Sequence, residues 1–184
     1  MYYAPARGDG AMLMLGVGGA LAATLVGTDG SDKITGTNQR DEIFGMNGDD
    51  EIDARGGNDD VSGGEYGDTI DGVDGEDDIS SNLGRDDISG GDGDDTISGN
   101  DGDDFIEGEQ DDDLRGGLSE DTIEDEMASN DIDQVRGGSG NDTINVADGD
   151  ANDTVNCGGG DDDKLRFDQG DDIDKDYCEN RNKV

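Results

Sequence analysis

The sequence predicts an all-β solenoid of about seven to eight coils, each built from two nine-residue units. Three observations predict it: a large aliphatic residue recurs at every ninth position, an Asp stands two places before each one, and glycine-rich segments lie between them. A period this short leaves room for one turn and one short strand, so a unit buries its apolar residue only by stacking on its neighbours. The regular aliphatic positions are Ile34, Ile43, Ile52, Val61, Ile70, Ile79, Ile88, Ile97 and Ile106.

Each unit is expected to contain a turn of about six residues and a strand of about three, because neighbouring side chains of a strand point to opposite faces. Ile34 would then face the interior, while Lys33 and Thr35 face solvent. Two units complete a coil of 18 residues, so the aliphatic residues form two facing rows. We therefore expect a thin apolar core between two parallel sheets. One row would hold Ile34, Ile52, Ile70, Ile88 and Ile106, and the other Ile43, Val61, Ile79, Ile97 and Leu114.

The composition excludes an ordinary globular core. Only 28% of the 184 residues are hydrophobic, 34 are glycine, and the formal net charge is -39. Such a composition is typical of disordered chains, whereas the regular repeats predict order. Both patterns are satisfied if the chain orders when cations neutralise it.

The same charge excludes several classes of partner. The repeat body should repel nucleic acid and anionic membranes. The chain contains no histidine, which removes the usual general base and the HExxH zinc site. We expect no enzymatic activity, no small-molecule substrate and no membrane binding by the repeats, and the sequence indicates no particular protein partner.

Three segments are predicted: residues 1–26, 27–156 and 157–184. The first contains an uncharged apolar run from Ala11 to Val26, which we interpret as a secretory signal peptide. An apolar capping strand and a short membrane anchor are the alternatives. The second segment is the repeat array, whose period slips by one residue at Leu114 and which contains a three-residue insertion before Asp133.

Stacked carboxylates predict a bound cation. Parallel strands of successive coils lie about 4.8 Å apart, which brings Asp residues 18 positions apart close together. Two such carboxylates repel by about 4 kcal/mol at intermediate dielectric, and a hard cation between them reverses the sign. Calcium takes about 6–8 oxygens from carboxylates and backbone carbonyls, whereas magnesium demands near-octahedral geometry. We predict several calcium ions, with these side-chain ligands: Asp32, Asp41, Asp50, Asp59, Asp68, Asp77, Asp86, Asp95, Asp104, Asp112, Asp121, Asp133, Asp142 and Asp153.

Glycines in the turns are expected to adopt positive φ and to aim backbone carbonyls at the cation. The units have the form G-x-x-G-x-D-x-U-x, where U is aliphatic, and we number the nine places from the first glycine. The glycines at the first and fourth places are Gly27, Gly30, Gly45, Gly48, Gly72, Gly75, Gly90, Gly93, Gly99, Gly102, Gly137 and Gly140.

This motif resembles the GGxGxDxUx nonapeptide of RTX (hemolysin-type) calcium-binding repeats. The resemblance implies a right-handed parallel β-roll with calcium in the turns between adjacent coils, the sixth-place Asp residues as side-chain ligands, and secretion with folding outside the cell. Gln39 and Tyr66 replace the fourth-place glycine, and Ala54 and Ser81 replace the first. Sites near Asp41 and Asp68 are expected to be weaker, and those of Asp32 with Asp50 and Asp77 with Asp95 to be the best. The fourteen or so units cover residues 27–156.

The tail carries the two cysteines of the chain, Cys157 and Cys178. In an exported chain such a pair most often forms a disulfide, and two reduced thiols in a frayed tail are the alternative. The segment from Asp153 to Glu179 resembles the closing segment of many bacterial RTX-containing proteins. This resemblance implies a disulfide-stabilised cap over the last sheet edges.

The leading hypothesis is a secreted, non-catalytic calcium-binding protein that folds when it binds calcium. It would act outside the cell, with the cell surface and the periplasm as alternative locations. Two other functions remain open: a structural or adhesive surface module, and an accessory repeat fragment of a secreted enzyme. A structural or adhesive module would show apolar or aromatic patches on the exterior of the coil, and the candidate residues do not align in a row: Phe44, Tyr66, Phe105 and Phe167.

Overall fold

The structure is a computed structural model that describes residues 12–14, 22–125, 132–147, 149, 152–174, 178 and 180–183. These residues form strands and turns without a helix, and therefore include no helix able to cross a membrane. The strands are β1 (Met12–Met14), β2 (Thr24–Val26), β3 (Lys33–Thr35), β4 (Glu42–Asn47), β5 (Glu51–Asp53), β6 (Asp60–Glu65), β7 (Thr69–Asp74), β8 (Asp78–Leu83), β9 (Asp87–Asp92), β10 (Thr96–Asp101), β11 (Phe105–Gly108), β12 (Asp113–Leu118), β13 (Thr122–Asp125), β14 (Gln134–Ser139), β15 (Thr143–Val146), β16 (Thr154–Gly159), β17 (Lys164–Phe167), β18 (Asp172–Ile173) and β19 (Asn180–Lys183).

The strands form two sheets that alternate along the chain. The ten-stranded sheet contains β1 and the even-numbered strands in chain order, and the nine-stranded sheet contains the odd-numbered strands from β3 to β19. Neighbouring strands are parallel, except for β1 and β2, which are antiparallel. This is the β-solenoid that the period predicts, so the predicted fold class is confirmed.

The aliphatic rows lie where the period places them. Ile34 pairs with Ile52 in the nine-stranded sheet, and Ile43 pairs with Val61 in the other. The aliphatic residues of the regular units are at most 1% exposed. Each sheet therefore contributes one inward row, and the two rows form the core between the sheets.

The irregular units keep the same register. Ile97 pairs with Leu114, 17 residues on, and Leu114 pairs with Val135, 21 residues on. The predicted slip and the predicted insertion are thus absorbed without moving an aliphatic residue out of its row. Residues 126–131, where the insertion falls, lie outside the described residues.

Many strands are longer than the three residues predicted. β6 and β8, for example, span six residues each and continue through the first three places of the next unit. Gly64 of β6 pairs with Asn82 of β8. The prediction of a three-residue strand was wrong for such units, because successive coils repeat the same backbone path and their glycine-rich residues also pair.

Both ends of the array carry additional structure. In the first predicted segment, Ala23 and Leu25 are buried, and Leu25 of β2 pairs with Ile43 of β4. β2 is therefore the first parallel strand of the stack. At the other end, Cys157 and Cys178 form a disulfide with Cα atoms 5.1 Å apart, as predicted.

Candidate metal centres

The sixth-place Asp residues form a continuous hydrogen-bonded ladder. The backbone N–H of Asp32 donates to Asp50 Oδ1 at 2.8 Å, and the N–H of Asp50 donates to Asp68 Oδ1 at 2.9 Å. The same bond recurs in both sheets at 2.6–3.1 Å, as far as Asp142 N–H with Asp163 Oδ1. All the predicted Asp ligands belong to this ladder, and each is at most 5% exposed.

The ladder differs from the predicted pairing of carboxylate with carboxylate. From Asp50 onwards, each ladder carboxylate accepts from the amide of the Asp one coil earlier, because strand stacking places that N–H beside it. No three His, Cys, Asp or Glu side chains converge on a metal position among the described residues. A bound cation would therefore need backbone carbonyls for most of its oxygens.

The second carboxylate oxygen has no donor in much of the ladder. Burying a polar acceptor without a hydrogen bond costs about 1–3 kcal/mol, and more when the group is charged. Such an oxygen accepts only a proton, a donor or a cation. The Oδ2 atoms in this state include those of Asp50, Asp59, Asp68, Asp77, Asp86, Asp95, Asp104, Asp121 and Asp142.

The first-place glycines leave open the space that these oxygens face. A Cβ on Gly45 would lie 2.5 Å from Asp50 Oδ2 and 2.3 Å from the carbonyl oxygen of Gly63. On Gly72 it would lie 2.6 Å from Asp77 Oδ2 and 2.4 Å from the carbonyl oxygen of Gly90. We call this arrangement a cradle: the first-place residue, the sixth-place Asp of the same unit, and the first-place carbonyl of the next coil.

The cradle fits a hard cation. Its lining atoms are a carboxylate oxygen and a carbonyl oxygen, which are the ligands calcium prefers. Its donor-free carboxylate needs a positive charge, and its glycine supplies room that any other residue would fill. Bound there, calcium would neutralise the negative charge of the buried carboxylates.

The predicted glycines divide into two roles. Fourth-place glycines have positive φ as predicted at Gly48, Gly75, Gly93, Gly102 and Gly140, but Gly30 does not. The first-place glycines have no left-handed φ, so the conformational reason predicted for them was wrong. They are required because a side chain would collide with the cradle oxygens. They are Gly27, Gly45, Gly72, Gly90, Gly99 and Gly137.

Left-handed residues at the second place were missed by the sequence analysis. Gly64, Gly91 and Gly117 have positive φ there, and so does Val73 at +79°. The frequent glycine at that place was the available signal. Tyr66, at the fourth place, also takes a positive φ of 83°, so this replacement of glycine does not abolish the local turn.

Burial sets the acidity of the ladder. It raises the pKa of Asp68 and Asp121 to about 7 and that of Asp112 to about 8, although the amide bond to each carboxylate opposes the rise. Burial likewise raises the pKa of Asp77 and Asp86. Neighbouring carboxylates add to the rise for many of these groups. The pKa is raised to about 6 for Asp50, Asp59, Asp95, Asp104 and Asp142.

Some ladder carboxylates satisfy their second oxygen locally. Asp32 Oδ2 accepts from the N–H and the hydroxyl of Thr28, at 2.5 and 2.8 Å. Asp112 Oδ2 accepts from the N–H of Glu109 at 3.1 Å. Asp32 therefore differs from Asp50, with which it was grouped among the best predicted sites.

One ladder member lies outside the predicted set. Asp163 is 1% exposed, and its Oδ1 accepts the N–H of Asp142 at 2.9 Å. The available signal was an Asp two places before an aliphatic residue, here Leu165. The uneven spacing of the last units obscured it.

Comparison with known families agrees with this geometry. The family model of the RTX calcium-binding nonapeptide repeat matches the chain four times, at residues 26–61, 53–88, 81–114 and 89–123, which together span more than half of it. The chain therefore belongs to the RTX calcium-binding repeat family, and calcium is the cation that this family's repeats bind. A search of curated proteins found no match.

Proposed function

We propose that this protein is an extracellular, non-catalytic calcium-binding protein that takes up several calcium ions and folds as it does so. The observation that carries the proposal is the series of buried Asp Oδ2 atoms without donors, each facing a cradle such as those at Gly45 and Gly72. The cradles repeat along both sheets, which supports several ions rather than one.

The energetics support folding that depends on calcium. Each unit buries little more than one aliphatic side chain, worth about 1.5–3 kcal/mol, against about 1–2 kcal/mol of backbone entropy for every ordered residue. The net charge of -39 adds repulsion between coils. A ligand that binds only the folded state supplies its binding free energy to folding.

Two observations support a location outside the cytosol. The Cys157–Cys178 disulfide is typical of chains that fold in oxidising compartments. Oxygen-only calcium sites of extracellular modules commonly work at about 10⁻⁴–10⁻³ M calcium. The cell surface and the periplasm satisfy the first condition as well, and remain the alternatives.

The other functions receive less support. The chain has no histidine, and its acidic residues are used repetitively in the ladder, which favours a non-catalytic role. Phe44 lies in β4 of one sheet, whereas Phe105 and Phe167 lie in β11 and β17 of the other. These three phenylalanines of the described part of the chain thus form no single row that would favour an adhesive module.

The proposal is tested by titrating the calcium-depleted chain with calcium while its circular dichroism is recorded. We expect weak secondary structure in chelator, a cooperative gain of β signal with calcium, and a much smaller gain with equimolar magnesium. Isothermal titration calorimetry on the same samples would give the number of ions. A spectrum that calcium leaves unchanged, or that magnesium changes equally, would overturn the proposal.

A further inference from the structure

Ser81 occupies a place that glycine holds in the neighbouring coils. It is the first-place residue of β8, between Gly63 of β6 and Gly99 of β10 in the same sheet. Its exposed fraction is 0%, so its side chain lies wholly inside the coil. In the flanking units that space is left open by glycine.

The Ser81 hydroxyl contacts one of the oxygens that line its cradle. Ser81 Oγ donates to the carbonyl oxygen of Gly99 at 2.8 Å. In the next cradle the corresponding carbonyl, that of Gly116, lies 2.7 Å from a Cβ placed on Gly99. The other oxygen of this cradle, Asp86 Oδ2, is buried and accepts no hydrogen bond. The single hydroxyl proton is therefore committed to the Gly99 carbonyl.

We infer that Ser81 closes the Asp86 cradle to calcium. The inference rests on the proposed function and adds which unit of the array stays free of metal. Two physical reasons lead to it. The Ser81 side chain fills the volume, and the Gly99 carbonyl already has a donor, so that a cation would have to displace this hydrogen bond before it gained a ligand.

Ala54 gives an internal comparison. It is the first-place residue of a unit in the other sheet and is likewise 0% exposed. Its methyl group fills space but carries no donor, and Asp59 Oδ2 has none. Ser81 differs because its hydroxyl also donates to the carbonyl of its cradle, although Asp86 Oδ2, like Asp59 Oδ2, has no donor. Within the ten-stranded sheet, the cradle between β8 and β10 therefore holds no calcium, while the cradles of Gly63 and Gly99 on either side remain open to it.

The test counts calcium ions on the full-length chain by native mass spectrometry and calorimetry, for wild type, S81G, S81A and S81G/D86N. We expect S81G to bind one ion more than wild type, because it restores the open cradle. S81A keeps the cradle filled and should bind the same number as wild type. S81G/D86N should lose the additional ion, since the new cradle then lacks its carboxylate.

The reciprocal variant G63S closes an open cradle and should bind one ion fewer than wild type. If S81G does not reach the wild-type circular dichroism spectrum in calcium, the ion count of G63S against that of wild type decides the inference instead. Equal counts for wild type, S81G and G63S would overturn the inference. A loss of one ion in S81A would also overturn it, because the hydroxyl would then be a calcium ligand. A wild-type chain that binds no calcium would instead overturn the proposed function itself.

Discussion

Alanine at a first-place glycine should remove one calcium site and strain the coil. In Gly72→Ala the new Cβ would lie 2.4 Å from the carbonyl oxygen of Gly90 and 2.6 Å from Asp77 Oδ2. Ordinary contact begins at 3.4 Å, so these oxygens would have to retreat by up to about 1 Å. Overpacking of this kind costs about 1–3 kcal/mol even without a metal.

Loss of the ion lowers the unfolding free energy further, by an amount that grows with the calcium concentration. A site that binds only the folded chain contributes RT ln(1 + [L]/Kd), which is about 1.4 kcal/mol for every tenfold rise in calcium above Kd. The unfolding free energy of Gly72→Ala should therefore fall further behind that of wild type by about 1.4 kcal/mol per decade of calcium. Urea unfolding followed by circular dichroism at several calcium concentrations measures this slope.

Gly159→Ala is the matched control. Its nearest atom to a new Cβ is the carbonyl oxygen of Gly138 at 4.0 Å, and its φ is not left-handed. The substitution reduces the entropy of the unfolded chain, so we expect a gain of about 0.4–1 kcal/mol at every calcium concentration. A deficit of Gly72→Ala that does not change with calcium would refute the assignment of the cradle as a cation site. Equal losses in both variants would show that crowding of the cradle oxygens is not the reason for the loss in Gly72→Ala.

Three further predictions concern acidity, strain and the disulfide. In calcium-free solution the pKa values of Asp50 and Asp68 are about 6 and 7, against 3.8 in the unfolded chain, so protonation of these carboxyls stabilises the fold below about pH 4. This stabilisation is lost as the pH rises through 6 to 7, and the β signal in circular dichroism should therefore be stronger at pH 4 than at pH 8. A signal that increases with pH would contradict this. Val73→Gly relieves a positive φ at a β-branched residue and should raise the unfolding free energy in calcium by about 1 kcal/mol, whereas Val73→Ala, which keeps a Cβ, should gain less. Replacing both Cys157 and Cys178 with Ala should lower the unfolding free energy in calcium by about 3 kcal/mol without changing the number of bound ions, and an unchanged midpoint in urea would argue against a stabilising role for the disulfide.

The period of the sequence was sufficient to predict the fold but not the direction of each side-chain atom. Ile34 and Ile52 are placed by spacing alone, because a unit of fixed length returns the chain to the same point. Spacing also brought Asp32 near Asp50, but it could not reveal that a backbone N–H would lie between them. The first-place glycines were wrongly assigned a conformational role. The crowding around Gly45 comes partly from the neighbouring coil, and the sequence of a single unit does not show it.

The need for a cation follows from how the ladder uses its donors. From Asp32 to Asp142, each ladder Asp gives its own N–H to the carboxylate one coil later, so that N–H is not available to a second acceptor. The remaining carboxylate oxygen can then be satisfied by a local donor, by a proton or by a metal ion. Thr28 supplies the first to Asp32, and low pH supplies the second. Once the pH exceeds the raised pKa of each carboxyl, which is about 7 for Asp68 and Asp121, the donor-free carboxylates that face a glycine cradle have only the third, because their amide donors are already committed and their side chains are buried. The same bond that holds successive coils together thus creates the demand for calcium. Asp→Asn keeps the amide bond and removes the charge, whereas Asp→Ala removes both, so a comparison of the two variants separates the hydrogen bond from the charge.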